Sequence, residues 1–252
     1  MTKVIMSGAN GKMGQVISRL AAEDEKIKIV AGKDITTERK NDYPVYDDWN
    51  QIQELADVII DFSHPAGLDS LLEYSKRTHT PVVMATTGLS EEQLCKLREH
   101  AKETAVFFSA NMSLGINLLI DLVVRAAKVL EDNFDIEIIE KHHNQKIDAP
   151  SGTALAIANA ISTNLKTPSE YVYDRHSVRK KRGKNEIGIH AVRGGTIVGE
   201  HEVLFAGTDE IIEIKHSAAS KEVFAVGAIR AAQFLCGKQS GFYNMKDLVN
   251  SL

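Results

Sequence analysis

The chain has 252 residues, of which 43% are hydrophobic, 25% charged and 6% aromatic, with a formal net charge of −4. These values suit a globular protein with length for one large α/β unit or two smaller domains, and the weak negative charge excludes a nucleic-acid-coating or membrane-surface role for the whole molecule. Cys95 and Cys236 form neither a metal motif nor a disulfide framework, and no stretch reads as a signal peptide or as the roughly 20 apolar residues that span a bilayer, so a reducing, cytoplasmic location is expected.

In chain order, residues 3–6 (KVIM) read as a short strand and 11–22 as a helix with Met13, Val16, Ile17 and Leu20 on one face. Strands follow at 27–32, 57–62, 81–85 and 106–109, with helices at 66–77 and 90–104, the latter N-capped by Ser90. Such alternation predicts a Rossmann-like, doubly wound parallel sheet with helices on both faces. Then the rhythm changes. A long apolar helix spans 114–130, a strand 134–140 and a helix 151–165, and strand-like runs come in succession at 186–192, 196–205 and 210–216. These predict a second α+β domain with a mixed sheet. The Ala-rich helix 221–235 closes the chain. The expected division is residues 1–113 plus 220–252 against 114–219.

The first chemical motif is SGANGKMG, from Ser7 to Gly14, between a strand and a helix. Glycines at 8, 11 and 14 allow a tight turn and close approach to a pyrophosphate, while the helix start offers N–H groups and a positive dipole end. Asp34 stands about 20 residues on, where an acid meets ribose hydroxyls in dinucleotide-binding units. Asp34 favours a free 2′-hydroxyl, whereas Lys12 and Lys33 suit a 2′-phosphate, so both NADH and NADPH stay open. Two further loops, 85–88 (ATTG) and 109–112 (SANM), follow strand ends, where open sheets bind ligands; taken alone, each reads first as ordinary turn and capping chemistry. His64 also follows a strand end.

The second motif is KHHNQKIDAPSGTA, residues 141–154. Ser151 suits an N-cap, and the helix start at Gly152 and Thr153 favours an anion. The histidines and Lys146 can supply a proton, a cationic lysine beside developing negative charge being a competent acid. Asp148 suits a lysine partner or a turn cap. No third ligand makes the His pair a metal site.

The run EIIEKHHNQKIDAPSGTA resembles the diagnostic motif of the dihydrodipicolinate reductases, the 4-hydroxy-tetrahydrodipicolinate reductases of bacterial lysine biosynthesis through diaminopimelate. GANGKMG, ATTG, SANMSLGIN, VRGGTIVGEHEVLFAG and FAVGAIRAA extend the resemblance over nearly the whole chain. It implies reduction of a cyclic imine dicarboxylate with NADH or NADPH and loss of water. It implies proton donor/acceptor His142 and proton donor Lys146, with His143, Gly152 and Thr153 on the substrate. It assigns Gly8, Ala9, Asn10, Gly11, Lys12, Met13, Asp34, Ala85, Thr86, Thr87, Ser109, Ala110, Asn111 and Met112 to the cofactor. It also implies a homotetramer held by the second domain's sheet, and a terminal helix that returns to the first domain. Ala85 stands where many members have Gly, and Met112 where many have Phe.

The run 174–184 (DRHSVRKKRGK) is expected to be a solvated loop, with an anion-attracting lid as the functional alternative and a nucleic-acid arm disfavoured. Arg193 has no firm role, and His190, His201 and His216 are expected on the sheet surface. A semialdehyde dehydrogenase needs an activated cysteine that neither Cys95 nor Cys236 resembles. A non-catalytic dinucleotide sensor needs the glycine loop but not His142 with Lys146. Since Gly8 and Lys146 fall in different domains, domain closure is expected.

Overall fold

Continuous apolar runs in the first half become strands buried on both faces, as parallel sheets require. The computed structural model describes all residues, 1–252. It divides into two units: Met1–Leu114 with Glu222–Leu252, and Gly115–Lys221.

The first unit contains β1 (Thr2–Ser7), α1 (Lys12–Ala22), β2 (Ile27–Lys33), β3 (Val45–Tyr46), β4 (Val58–Asp61), α2 (Leu68–Thr78), β5 (Val82–Met84), α3 (Glu91–His100) and β6 (Ala105–Phe108). The second unit, built mainly from α4 (Leu114–Leu130), β7 (Asp135–His142), α5 (Gly152–Ser162), β8 (Glu170–Val172), β9 (Glu186–Arg193), β10 (Gly199–Ala206) and β11 (Ile211–Ala218), follows. The chain then returns to the first unit as α6 (Glu222–Leu235), β12 (Gly241–Tyr243) and α7 (Met245–Val249).

The first sheet has the order β12-β6-β5-β4-β1-β2-β3, parallel throughout. Its side chains alternate between two cores. Val4, Met6, Ile60 and Phe107 pack with α1 and α6, while Ile5, Ile59, Val82 and Val106 pack with residues of α2 and α3. This is the doubly wound, Rossmann-like class. The order reverses between β1 and β4, and the crevice at that switch point is where such sheets bind ligands. The Ala-rich composition of α6 has a packing reason: Ala225, Ala228, Ala231 and Ala232 are fully buried, and Gly227 lets the helix approach the Met112 carbonyl.

In the second unit the sheet order is β11-β10-β7-β9-β8. β10 runs antiparallel to β7 and β11, while β9 is parallel to β7 and β8, a mixed sheet. One face packs Ile136, Ile138, Ile189, Val203 and Phe205 against Leu119, Val123, Ile157 and Ile161 of α4 and α5. The strand period of two then carries this buried face past its apolar residues. Glu140 and His142 continue the Ile136–Ile138 series, His201 continues that of Phe205 and Val203, and Arg193 that of Ile187 and Ile189. One end of the core is therefore built from ionisable groups.

The basic run 174–184 is the exposed loop expected, but two of its arginines are anchored. Arg175 donates to Glu186 (2.7 Å) and Glu137 (2.8 Å), and Arg182 to Asp135 (2.9 Å) and Glu137 (3.1 Å). The Arg175 hydrogen bond leads in holding the Glu186 carboxyl down to about 2. Gly188, on the strand beside Glu137, leaves the room that carboxylate fills: a Cβ there would meet Glu137 Oε2 at 1.7 Å. β3, β8, β12 and α7 are short elements that no periodic pattern announced.

A Cβ at Gly227 would fall 1.6 Å from the Met112 carbonyl oxygen. Gly227→Ala is expected to destabilise the first unit by about 1–3 kcal/mol, as overpacking does. Chemical denaturation checks this, and an unchanged midpoint refutes the close packing.

Candidate active site

In the first unit the Gly8 turn adopts φ +81°, and a Cβ there would lie 2.3 Å from the Phe62 carbonyl oxygen. Gly14 is equally constrained, its hypothetical Cβ 2.1 Å from the Gly8 carbonyl oxygen. The turn thus lies flat against β4 and against its own helix, and Gly11 opens α1 with no side-chain cap. A cavity of about 930 Å³ begins here, lined by Gly8, Asn10, Gly11, Lys33, Asp34 and His64, among others. Asp34 accepts from the Asn10 (2.8 Å) and Ile35 (2.8 Å) backbone N–H groups, which draws the ends of β1 and β2 together around the cavity. The buried Asn10 Oδ1 has no hydrogen-bond partner. An extended, open-ended cavity, an uncapped helix start and an orphaned acceptor fit a dinucleotide.

The other expected cofactor residues fall into several settings. Ala9 is buried beneath the turn, Met13 packs on the core, and Lys12 is exposed at the head of α1. Ala85 and Thr86 are buried, and Thr87 is exposed. The Thr86 hydroxyl donates to buried Asp61 (2.5 Å) and accepts from Ser63 N–H (2.9 Å), so its proton is committed inside the protein. Ser109 Oγ donates to the Asn111 carbonyl (2.7 Å), Ala110 is exposed, and Met112 is a core residue.

In the second unit, β7 presents Glu140, fully buried, and His142, 9% exposed. Glu140 Oε2 lies 2.6 Å from His142 Nδ1. Arg193 donates to both Glu140 oxygens (2.8 and 2.7 Å) and to the Asp148 carbonyl (2.6 Å). The Ser151 N–H donates to Glu140 (3.0 Å), and Ser151 Oγ caps α5 through Ala154 N–H (3.2 Å). Burial pushes the Glu140 carboxyl up, but hydrogen bonds from Arg193, His142 and Ser151 outweigh it and hold the group below the ordinary carboxylate value.

Lys146 Nζ pairs with Asp148 Oδ1 at 2.8 Å. The Lys146 hydrogen bond leads in lowering the Asp148 carboxyl, helped by the backbone N–H groups of Asp148 and Gly152. The lysine and the start of α5 therefore already grip one carboxylate. Gly152 is exposed, with nothing within 4 Å of where a Cβ would sit, and Thr153 and His143 are half-buried nearby in the chain.

His201 corrects the surface assignment. It is 4% exposed, its Nε2 is 3.1 Å from Ser151 Oγ, and its ring meets His142 edge-on at 5.2 Å. Burial, then the His142 charge, pushes its pKa down to about 4. Glu140 and His201 were legible from strand parity alone. Arg193 needed the β7–β9 register, which sequence does not show.

Two comparisons decide the family. Residues 2–112 match the model described as dihydrodipicolinate reductase, N-terminus, and residues 115–249 match dihydrodipicolinate reductase, C-terminus. The chain belongs to the dihydrodipicolinate reductase family. It is accordingly an oxidoreductase that uses a nicotinamide cofactor. The relative named 4-hydroxy-tetrahydrodipicolinate reductase in Caldanaerobacter subterraneus subsp. tengcongensis is 56% identical, covering 99% of this chain and 98% of its own. Its counterpart in Clostridium novyi is 53% identical over 100% and 99%. The dipicolinate-bound dihydrodipicolinate reductase from Paenisporosarcina sp. TG-14 is 24% identical and shares the fold over 100% of both chains, with a TM-score of 0.83. No helix is long and apolar enough to cross a membrane.

His201 stays neutral in the fold to about pH 4, whereas an unfolded histidine binds its proton near 6.5. Between those values the unfolded chain holds more protons, so stability rises with pH and is lost on acidification, by about 3 kcal/mol in full. His201→Gln is expected to flatten this slope in urea midpoints compared between about pH 7 and pH 4.5; an unaltered slope refutes the assignment.

Proposed function

We propose that the chain reduces 4-hydroxy-tetrahydrodipicolinate to tetrahydrodipicolinate with NADH or NADPH and loss of water, in the diaminopimelate route to lysine. The relatives' names support the reaction. The observation that carries the site assignment is the grip of Lys146 and the start of α5 on the Asp148 carboxylate. A cation and a helix N-terminus that hold an internal carboxylate can hold one from a dianionic substrate in its place.

The first unit acts as the dinucleotide-binding domain and the second as the substrate-binding and oligomerisation domain. Gly8, Ala9, Asn10, Gly11, Lys12, Met13 and Asp34 serve the cofactor, with the 85–87 and 109–112 loops. When bound, the dihydronicotinamide supplies a hydride. Lys146 donates a proton to the imine nitrogen as the ring carbon is reduced, so no full negative charge develops there. His142 gives or takes a proton. His143, Gly152 and Thr153 orient the substrate carboxylates. Lys33 and Lys40 line the same cavity as Asp34, which supports use of either cofactor. The protein works as a cytoplasmic homotetramer, and the uncovered sheet face, with Val192 45% and Ile211 62% exposed, supports self-association.

Purified protein with NADH or NADPH and freshly generated cyclic imine should show substrate-dependent loss of dihydronicotinamide absorbance. Lys146→Ala is expected to lower kcat by roughly 10²–10⁴-fold, the usual worth of a positioned acid, with cofactor affinity retained. Normal turnover in that variant removes Lys146 as proton donor. Gly152→Val has room in the protein itself, so it should fold, keep its cofactor KM and raise the imine KM. An unchanged imine KM takes Gly152 out of the site.

A further inference from the structure

Glu140 has no role in the reading above, yet it bonds His142, Arg193 and Ser151, and Arg193 leads on through Asp148 to Lys146. We infer that Glu140 is the positioning residue of the reaction: it fixes His142 as the Nδ1–H tautomer and, through Arg193 and Ser151, registers the Lys146 loop and the start of α5 against that histidine. The inference rests on the proposed role of His142.

The argument begins with donors. Glu140 is fully buried, and its two oxygens face Arg193 twice, the Ser151 N–H and His142 Nδ1. A buried carboxylate with a bidentate guanidinium is ionised and has only acceptors to offer. The 2.6 Å contact to His142 therefore has one chemical solution, a proton on Nδ1. Neutral His142 then presents an unprotonated Nε2, competent to accept a proton and to return it. Gly199 lies on that side; a Cβ there would stand 3.1 Å from Nε2. His201, the other imidazole nearby, is committed to Ser151 and stays neutral near pH 7, so it neither competes for Glu140 nor puts a second cation beside His142.

The remaining contacts extend the same carboxylate outward. Arg193 also donates to the Asp148 carbonyl, and Asp148 holds Lys146. Ser151 joins Glu140 through its N–H and α5 through its hydroxyl. A merely structural ion pair would need none of this convergence on the two groups that move protons.

The direct test needs no variant. In the full-length protein labelled with ¹⁵N, long-range ¹H–¹⁵N histidine spectra at neutral pH should show His142, assigned by its loss in His142→Gln, as the Nδ1–H tautomer. Finding the Nε2–H tautomer overturns the inference. In Glu140→Gln, three N–H donors from Arg193 and Ser151 compete for one oxygen, which turns the amide NH₂ toward His142. The tautomer should then switch, and kcat should fall roughly 10²-fold while the imine KM and the cofactor Kd move less than about twofold. Adding Glu140→Gln to His142→Gln should cost nothing more. If Glu140→Gln turns over like wild type while His142→Gln is slow, the positioning role falls and the role of His142 stands. If His142→Gln itself keeps full turnover, the proposed role of His142 falls and the inference with it. Should Glu140→Gln not fold, the tautomer of His142 in the unaltered protein decides the inference by itself.

Discussion

A carboxylate with no access to water must be given donors by the protein, and in the second unit that requirement organises the site. Glu140 occupies a position that strand parity assigns to the core, two residues beyond Ile138. Leaving its charge unpaired there would cost several kcal/mol. The cost is met by Arg193 on the adjacent parallel strand, by the Ser151 backbone and by His142. Those three lie on β9, at the start of α5 and at the end of β7. The need to satisfy one buried charge therefore fixes the relative placement of three elements, and with them the side chains that face a ligand.

The first unit depends on a different constraint, the absence of side chains. Gly8 and Gly14 are held within 2.3 Å and 2.1 Å of backbone oxygens, measured from where a Cβ would stand. The turn after β1 can lie against the β4 loop only because nothing projects from it. Gly11 leaves the head of α1 without a side-chain cap, beside the cavity at the switch point. An anion-receptive helix start follows from packing before any ligand is considered.

What was legible in the sequence divides along the same line. The two sheets and their class could be read because hydrophobic period and strand–helix alternation are local signals. Short strands such as β3, at two residues, carry no period to detect. The glycine turn and Asp34 were legible because spacing alone places them at adjacent strand ends. The motif around His142 and Lys146 was legible as chemistry, and strand parity carries a signal for Glu140 and His201, but not for Arg193 as the partner of Glu140. Arg193 reaches Glu140 only through the parallel pairing of β7 with β9, 53 residues apart in sequence. The basic run was legible as an exposed loop, but the anchoring of Arg175 and Arg182 was not, for a related reason. Its charges look solvated in sequence, and their partners Asp135, Glu137 and Glu186 become neighbours only when the sheet forms.

The two units also each contain a buried carboxylate, and the comparison shows what burial decides and what it leaves open. Asp61, at the end of β4, is 2% exposed, and Glu140 is fully buried. Asp61 receives hydroxyl donors from Thr86 and Ser63, all neutral, and burial pushes its carboxyl up despite them. Glu140 receives a guanidinium, and its carboxyl is held down. Two carboxyls with almost no exposed surface thus have opposite protonation tendencies, and a bidentate cation offsets more of a buried charge than neutral dipoles do. The guanidinium keeps Glu140 an acceptor at neutral pH. A histidine placed beside Glu140 therefore has its tautomer dictated by a carboxylate that only accepts.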